Sequence, residues 1–322
     1  MRSMQTSFTF PLSAVKPLDG LMAYRAHCLA ATRAALSGGA TRRDRSPVSG
    51  EPLEPAGDVE GLPYGRCPAT GSLFLTELPA WERWMELLAE VNRYRHSPEA
   101  FHTGLAQSRV DNVYAPRLEW IEDTLQLHQL DRPKVLEVTT PPSDVTKLLA
   151  ENPTFSEVIT EDEMRVAHAF ASKTSGEVGL AVLFEVLDRV DDPVALLRGV
   201  ASRLAPGGLV FVTALVSSGF DLAVLGLRNL YLYPPDRTNC FSLLDLSNLL
   251  ERTGFTLVEA STPGVLDVEI VRAHVQRSPA VALSPFERQL IAADVDTHAA
   301  LQALLQERGL SSFARLVGRR TA

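Results

Sequence analysis

Apolar residues recur along this chain with two different periods, and the change of period divides it. In the first part they return every three or four positions. The stretch 21–39, LMAYRAHCLAATRAALSGG, is built of good helix formers and ends on Gly-Gly, which predicts a helix with a C-terminal stop. WERWMELLAEVNRYR places Trp84, Leu87, Leu88 and Val91 on one face of a second helix, Pro98 breaks it, and PRLEWIEDTLQLHQL predicts a third that runs to about Leu130. From Lys134 onward short apolar runs alternate with amphipathic stretches. KVLEV, EVIT, GLAVLF, LVFVTAL, TLVEAS and ARLVGRR read as strands, and DVTKLLAEN, PVALLRGVASRLA and SLLDLSNLLERTG as the helices between them. Such alternation predicts a mostly parallel, doubly wound α/β sheet covered on both faces, with a ligand site beyond the carboxyl ends of its central strands. Residues 274–309 read as two helices inserted before the closing strand.

Between the first two helices, residues 41–78 turn rich in Gly, Pro and Ser and hold a short repeat, RSPVSGEPLE and RCPATGSLFL, each a tight x-P-x-x-G knuckle. The expected organisation is an N-terminal helical extension (1–40), a small module (41–78), a helical connector (79–132) and the α/β domain (133–322). Among 322 residues the formal net charge is -8, the opposite of the balance expected for a nucleic-acid binder. Arg42, Arg43 and Arg45 read as a solvated turn. A mean hydropathy of +0.02, with no apolar run long enough for a bilayer and no apolar leader, points to a protein outside the membrane. Cys28, Cys67 and Cys240, odd in number and far apart, suggest no disulfide framework and fit a reducing cytoplasm. The expected partner is a small molecule or another protein, with homo- or hetero-oligomers open.

FEVLDRVDDPVALLRGVASRLAPGGLVFVTA (184–214), PPDRTNCFSLLDLSNLLERTGF and STPGVLDVEIVR, in this order, resemble class I S-adenosylmethionine-dependent methyltransferases over about 133–322. The resemblance implies a seven-stranded Rossmann-like sheet and S-adenosylmethionine, if any cofactor. The family's first strand ends in an acid and a G-x-G-x-G loop. Here Glu137 keeps the acid, but the glycine positions hold Thr139, Pro141 and Ser143 in the loop TTPPS. Glycines allow a tight turn and close backbone approach to a ligand. Two prolines remove two N–H donors, and a β-branched Thr resists positive φ, so a stiffer and narrower loop is expected. Glu161 and Asp162 stand where the family grips the ribose hydroxyls, though a solvated charge pair is an equal reading. Asp188-Arg189 replaces a Glu-His pair, Asp236 replaces a His after the Pro-Pro turn, and Glu185, Asp188 and Asp236 are the candidate bases.

Some members, including sugar C-methyltransferases, carry an N-terminal zinc ribbon of two C-P-x-C-G knuckles. This chain reads Ser46, Ser49, Cys67 and Thr70 at those ligand positions, so the module is a degenerate ribbon for which no zinc is expected. His27, His96, His102, His128, His168, His274 and His298 are scattered, without metal-ligand spacing. His102 and Tyr94 in the connector, and Tyr231 and Tyr233 before the Pro-Pro turn, read either as pocket lining or as packing. Two functions remain open at this level. One is an enzyme methylating a polar small molecule such as a sugar or glycan precursor, acting mainly by holding nucleophile and donor in line. The other is a methyltransferase-fold protein that has lost catalysis and binds a partner.

Overall fold

The computed structural model describes residues 11–168, 178–278 and 281–321; the side chain of His168 lies outside the described residues. The chain opens with helix α1 (Leu18–Leu36), followed by strands β1 (Ala40–Arg42), β2 (Glu54–Val59), β3 (Leu62–Arg66), β4 (Leu73–Leu75) and β5 (Glu77–Pro79). The connector supplies α2 (Trp81–Arg95), α3 (Phe101–Gly104), α4 (Ala106–Arg109) and α5 (Ala115–Leu127). Next come β6 (Lys134–Val138), α6 (Asp144–Glu151), β7 (Glu157–Glu161), α7 (Glu163–His168), β8 (Val178–Phe184), α8 (Pro193–Arg203) and β9 (Leu204–Leu215). The chain continues through α9 (Phe220–Leu225), β10 (Asn239–Cys240), α10 (Leu243–Arg252) and β11 (Phe255–Ser261). It closes with α11 (Asp267–Arg277), α12 (Pro285–Ile291), α13 (Val295–Glu307) and β12 (Phe313–Arg320).

The main sheet has the order β11-β12-β9-β8-β6-β7. The neighbours β7, β6, β8 and β9 run parallel, and β12 is antiparallel to both β9 and β11. Among the described residues the sheet has six strands rather than the expected seven. Alternate side chains on each strand face opposite layers, as a two-residue period requires. On β9, Leu209 and Phe211 join a core with Trp120, Ile121 and Leu149, whereas Val210, Val212 and Ala214 join the larger core with Leu29, Trp84, Leu197 and Leu249. The sheet is therefore buried on both faces.

Two expectations change. The insertion starts earlier than residue 274 and, among the described residues, holds three helices rather than two, because the string DVEIVR itself forms the start of α11. The N-terminal module is not a separate body either: its sheet has the order β10-β4-β3-β2, and its β10 comes from the α/β domain, pairing Asn239 with Phe74 and Cys240 with Leu73. The Tyr64 hydroxyl donates to the carbonyl of Arg237 at 2.7 Å, and Phe74 packs edge-on against Phe241.

Both knuckles form tight turns. Gly50 N–H donates to Ser46 O at 2.9 Å and Gly71 N–H to Cys67 O at 2.8 Å. Each glycine has φ of 76°, a left-handed conformation a Cβ would strain. The Ser46 hydroxyl accepts from the N–H groups of Val48 and Ser49, and the Thr70 hydroxyl donates to Asp245 at 2.7 Å. The Cys67 sulfur lies 3.8 Å from the Ser49 hydroxyl. The hydroxyls of Ser46 and Thr70 thus serve as turn and interface hydrogen bonds. Cys28, Cys67 and Cys240 are free and buried. Among the described residues no helix is long and apolar enough to cross a membrane.

Candidate functional site

The carboxyl ends of β6 and β8 meet where the strand order reverses, which is where doubly wound sheets place ligands. A cleft opens there, about 690 Å³ including its mouth. Its walls are the β6–α6 loop, the end of β8, the connector and the Asp236-Arg237 pair after the Pro-Pro turn.

Glu137 at the end of β6 is 3% exposed. Its carboxylate accepts from the hydroxyls of Ser143 (2.6 Å), Thr146 and Thr160 (3.5 Å). Burial pushes its pKa up, and the three hydroxyls pull it partly back. Ser143 also caps α6 through Val145 N–H. The loop is pinned from the connector: the Asn92 amide donates to Thr140 O at 2.8 Å and to Pro142 O at 2.9 Å. No residue of 139–143 has positive φ, so the backbone takes none of the left-handed conformations that glycines would permit. Thr139, Pro142 and Ser143 line the cleft; Pro141 does not.

Glu161 and Asp162, at the end of β7, do not line the cleft. Glu161 pairs with Arg203 of α8, and Asp162 accepts from the N–H groups of Met164 and Arg165 at the start of α7.

Glu185 lies in the cleft at φ 57°, its N–H bonded to Thr213 O. It accepts from Arg117 and Arg237, each at 2.6 Å. Burial alone would raise its pKa, but the Arg237 and Arg117 charges hold it well below the usual carboxylate range. Asp188 is fully buried behind the cleft wall, accepts from Leu215 N–H at 3.0 Å and pairs with Arg237 at 3.2 Å. Burial pushes it up to about 7 despite Arg237. Asp236 lines the cleft with Arg95 at 3.4 Å. Of the sequence candidates, the cleft therefore gathers Glu137, Thr139, Ser143, Glu185 and Asp236 and leaves Pro141, Glu161, Asp162 and Asp188 outside.

What the sequence reading missed is the arginines. Arg95, Arg109, Arg117, Arg189 and Arg237 line this one cleft, against the carboxylates of Glu137, Asp144, Glu185 and Asp236. Arg117 and Arg189 are almost fully buried, and Arg189 pairs with Glu163 at 3.0 Å. Asp144 is held down to about 2, chiefly by its hydrogen bond from His96, with Tyr114 adding another. For Arg95, Arg109 and Arg117 the signal in the sequence was the spread of basic residues along the connector.

The remaining candidates pack. His102 stacks on Phe101 at 3.8 Å and meets Tyr24 edge-on at 4.7 Å, and burial lowers its pKa. Tyr94 stacks on His27 at 4.0 Å, Tyr233 packs edge-on to Tyr24, and the Lys16 ammonium sits over the Tyr231 ring. Among the described residues no group of three or more His, Cys, Asp or Glu side chains is placed to hold a metal ion.

Residues 114–260 match the model of a methyltransferase domain family. No curated protein sequence matches the chain. Among solved structures it is similar to the 1,6-didemethyltoxoflavin-N1-methyltransferase of Burkholderia thailandensis with bound 1,6-didemethyltoxoflavin and S-adenosylhomocysteine, at 12% identity and TM-score 0.44, covering 84% of this chain and 100% of that one. It is also similar to phosphoethanolamine N-methyltransferase 2 of Haemonchus contortus in complex with S-adenosyl-L-methionine, at 12% identity and TM-score 0.40, covering 63% of this chain and 53% of that one. Residues 114–260, at the carboxyl ends of whose strands the cleft lies, are thus similar to a methyltransferase domain family.

Proposed function

We propose that this chain is a relative of the enzymes that methylate polar small molecules, such as sugars or glycan precursors, in which binding of S-adenosylmethionine is lost and the cleft serves as a non-catalytic binding site. One observation carries the reading. Both acids at the end of β7 are consumed inside the protein, Glu161 by Arg203 and Asp162 by the start of α7, which leaves the ribose hydroxyls without a carboxylate.

The rest of the cleft supports it. Thr139 and Ser143 occupy the wall where glycine would let a ligand reach the backbone, and Glu137 already accepts from three hydroxyls. The lining carries more guanidinium than carboxylate, and a positively charged sulfonium gains nothing there. The residues present therefore do not fit the cofactor. On this reading Glu185, Asp188 and Asp236 serve as partners of Arg117, Arg237 and Arg95 rather than as bases. A small polar molecule suits such a lining better than a protein surface does, because its groups can satisfy the inward-facing polar atoms.

Isothermal titration with S-adenosylmethionine and S-adenosylhomocysteine tests the reading. The natural chain is expected to show no saturable binding up to about 1 mM. Thr139→Gly, Pro141→Gly and Ser143→Gly combined with Arg203→Gln, which frees Glu161, is expected to regain part of it. Micromolar binding by the natural chain would overturn the proposal.

A further inference from the structure

Resting on the reading that the cleft no longer holds the sulfonium cofactor, we propose that it binds a dianionic small molecule through Arg95 and Arg109. The shared chemistry is two negative charges carried on oxyanion oxygens, on one group in a phosphomonoester or on two in a dicarboxylate.

Three of the five cleft arginines are already spent. Arg117 and Arg237 each hold Glu185 at 2.6 Å, Arg237 also reaches Asp188, and Arg189 holds Glu163 at 3.0 Å. Arg95 and Arg109 remain. Arg95 has a carboxylate oxygen no nearer than that of Asp236 at 3.4 Å, met by one nitrogen. Arg109 makes no ion pair among the described residues, and its one side-chain hydrogen bond goes to the neutral Tyr114 hydroxyl at 2.7 Å. The Nε atoms of both are buried and lack a hydrogen-bond acceptor, as do those of Arg189 and Arg237, which instead form ion pairs with the buried carboxylates of Glu163 and Asp188.

A buried guanidinium Nε without an acceptor is costly, and removing that cost is a usual return for binding an anion. The planar fork of Arg matches carboxylate and phosphate oxygens in pairs of parallel hydrogen bonds. Two under-neutralised cations on one cleft wall match two negative charges. Asp144, also in the lining, opposes an anion, but His96 at 3.4 Å and the Tyr114 hydroxyl at 3.0 Å already engage it.

The test is a titration of the full chain with inorganic phosphate and, separately, with succinate, each against chloride at matched ionic strength, followed by calorimetry and by thermal unfolding. Saturable binding of at least one oxyanion is expected, weakened about tenfold or more in Arg109→Gln and partly kept in Arg109→Lys. Phosphate alone supports the phosphomonoester form of the proposal, and succinate alone the dicarboxylate form. No oxyanion effect beyond chloride overturns it, and so does undiminished binding in a folded Arg109→Gln. Should that variant fail to fold, Thr139→Glu, which adds a negative charge to the cleft wall, is expected to abolish binding; unchanged binding there overturns the proposal. S-adenosylhomocysteine run on the same sample separates the two readings. Its saturable binding overturns the lost-cofactor reading, whereas the absence of oxyanion binding overturns only this inference.

Discussion

Asp221 is fully buried at the start of α9, where its carboxylate accepts from Leu222 N–H, the Asn229 amide and the Ser312 hydroxyl. The same hydroxyl meets Asp267 at 2.7 Å, so two buried acids share one small donor. Burial first, and the Asp267 charge second, push Asp221 up to about 7. The folded protein therefore keeps a proton that the unfolded chain releases near pH 4. Stability is then largest below that value and falls as pH rises towards about 7, by up to about 1.4 kcal/mol per pH unit for each such group. Asp188, also raised to about 7, acts in the same window and direction. Asp144, held near 2, acts outside it: its contribution is lost only as pH falls below about 4. Urea unfolding across about pH 5 to pH 8 is expected to show falling stability in the natural chain and a shallower fall in Asp221→Asn. Equal slopes for the two would place the titration elsewhere.

At the scale of elements, the short strand β10 joins the two halves of the chain. The Asn239 side chain donates to Leu187 O and Val190 O, each at 2.8 Å, and accepts from Arg43 at 2.7 Å, while its backbone extends the module sheet. Asn239→Ala leaves two buried carbonyls and a guanidinium without their partner, and a loss of about 3 kcal/mol is expected from chemical denaturation. A loss under about 1 kcal/mol would mean that water takes over those bonds. Nearby, Asp245 in the first turn of α10 accepts from both Thr70 and Ser72. The module is thus held by hydrogen bonds to the α/β domain where thiolates would hold a metal in a ribbon.

For the whole molecule this interlocking has a consequence for folding. A unit of about forty residues buries too little to fold without metal, disulfide or outside packing. The module's outside packing includes β10, Phe241, Asp245 and Arg237 of the α/β domain and Arg25 of α1. A peptide of residues 41–78 is therefore expected to lack sheet signal in circular dichroism, and the full chain is expected to unfold in one transition by fluorescence and circular dichroism alike. An independently folded peptide would show that the module carries its own core.

The six strands of the main sheet and the helices α6, α8 and α10 were legible in the sequence, because burial on two faces leaves short unbroken apolar runs that no loop needs. Trp84, Leu87, Leu88 and Val91 announced the buried face of α2 for the same reason of period. The TTPPS loop was equally legible, since proline and β-branched residues limit backbone angles whatever surrounds them. Local pattern could not say where side chains far apart in sequence meet. Whether Glu161 faces a ligand or Arg203, 42 residues away, depends on how α8 packs. Arg95, Arg109, Arg117 and Arg237 come from three helices and a loop, and only the close approach of the connector to the sheet gathers their charges in one cleft. Backbone preference is a property of neighbours along the chain, and the sequence determined it. The electrostatics of the cleft is a property of neighbours in space, and the tertiary structure alone decided it.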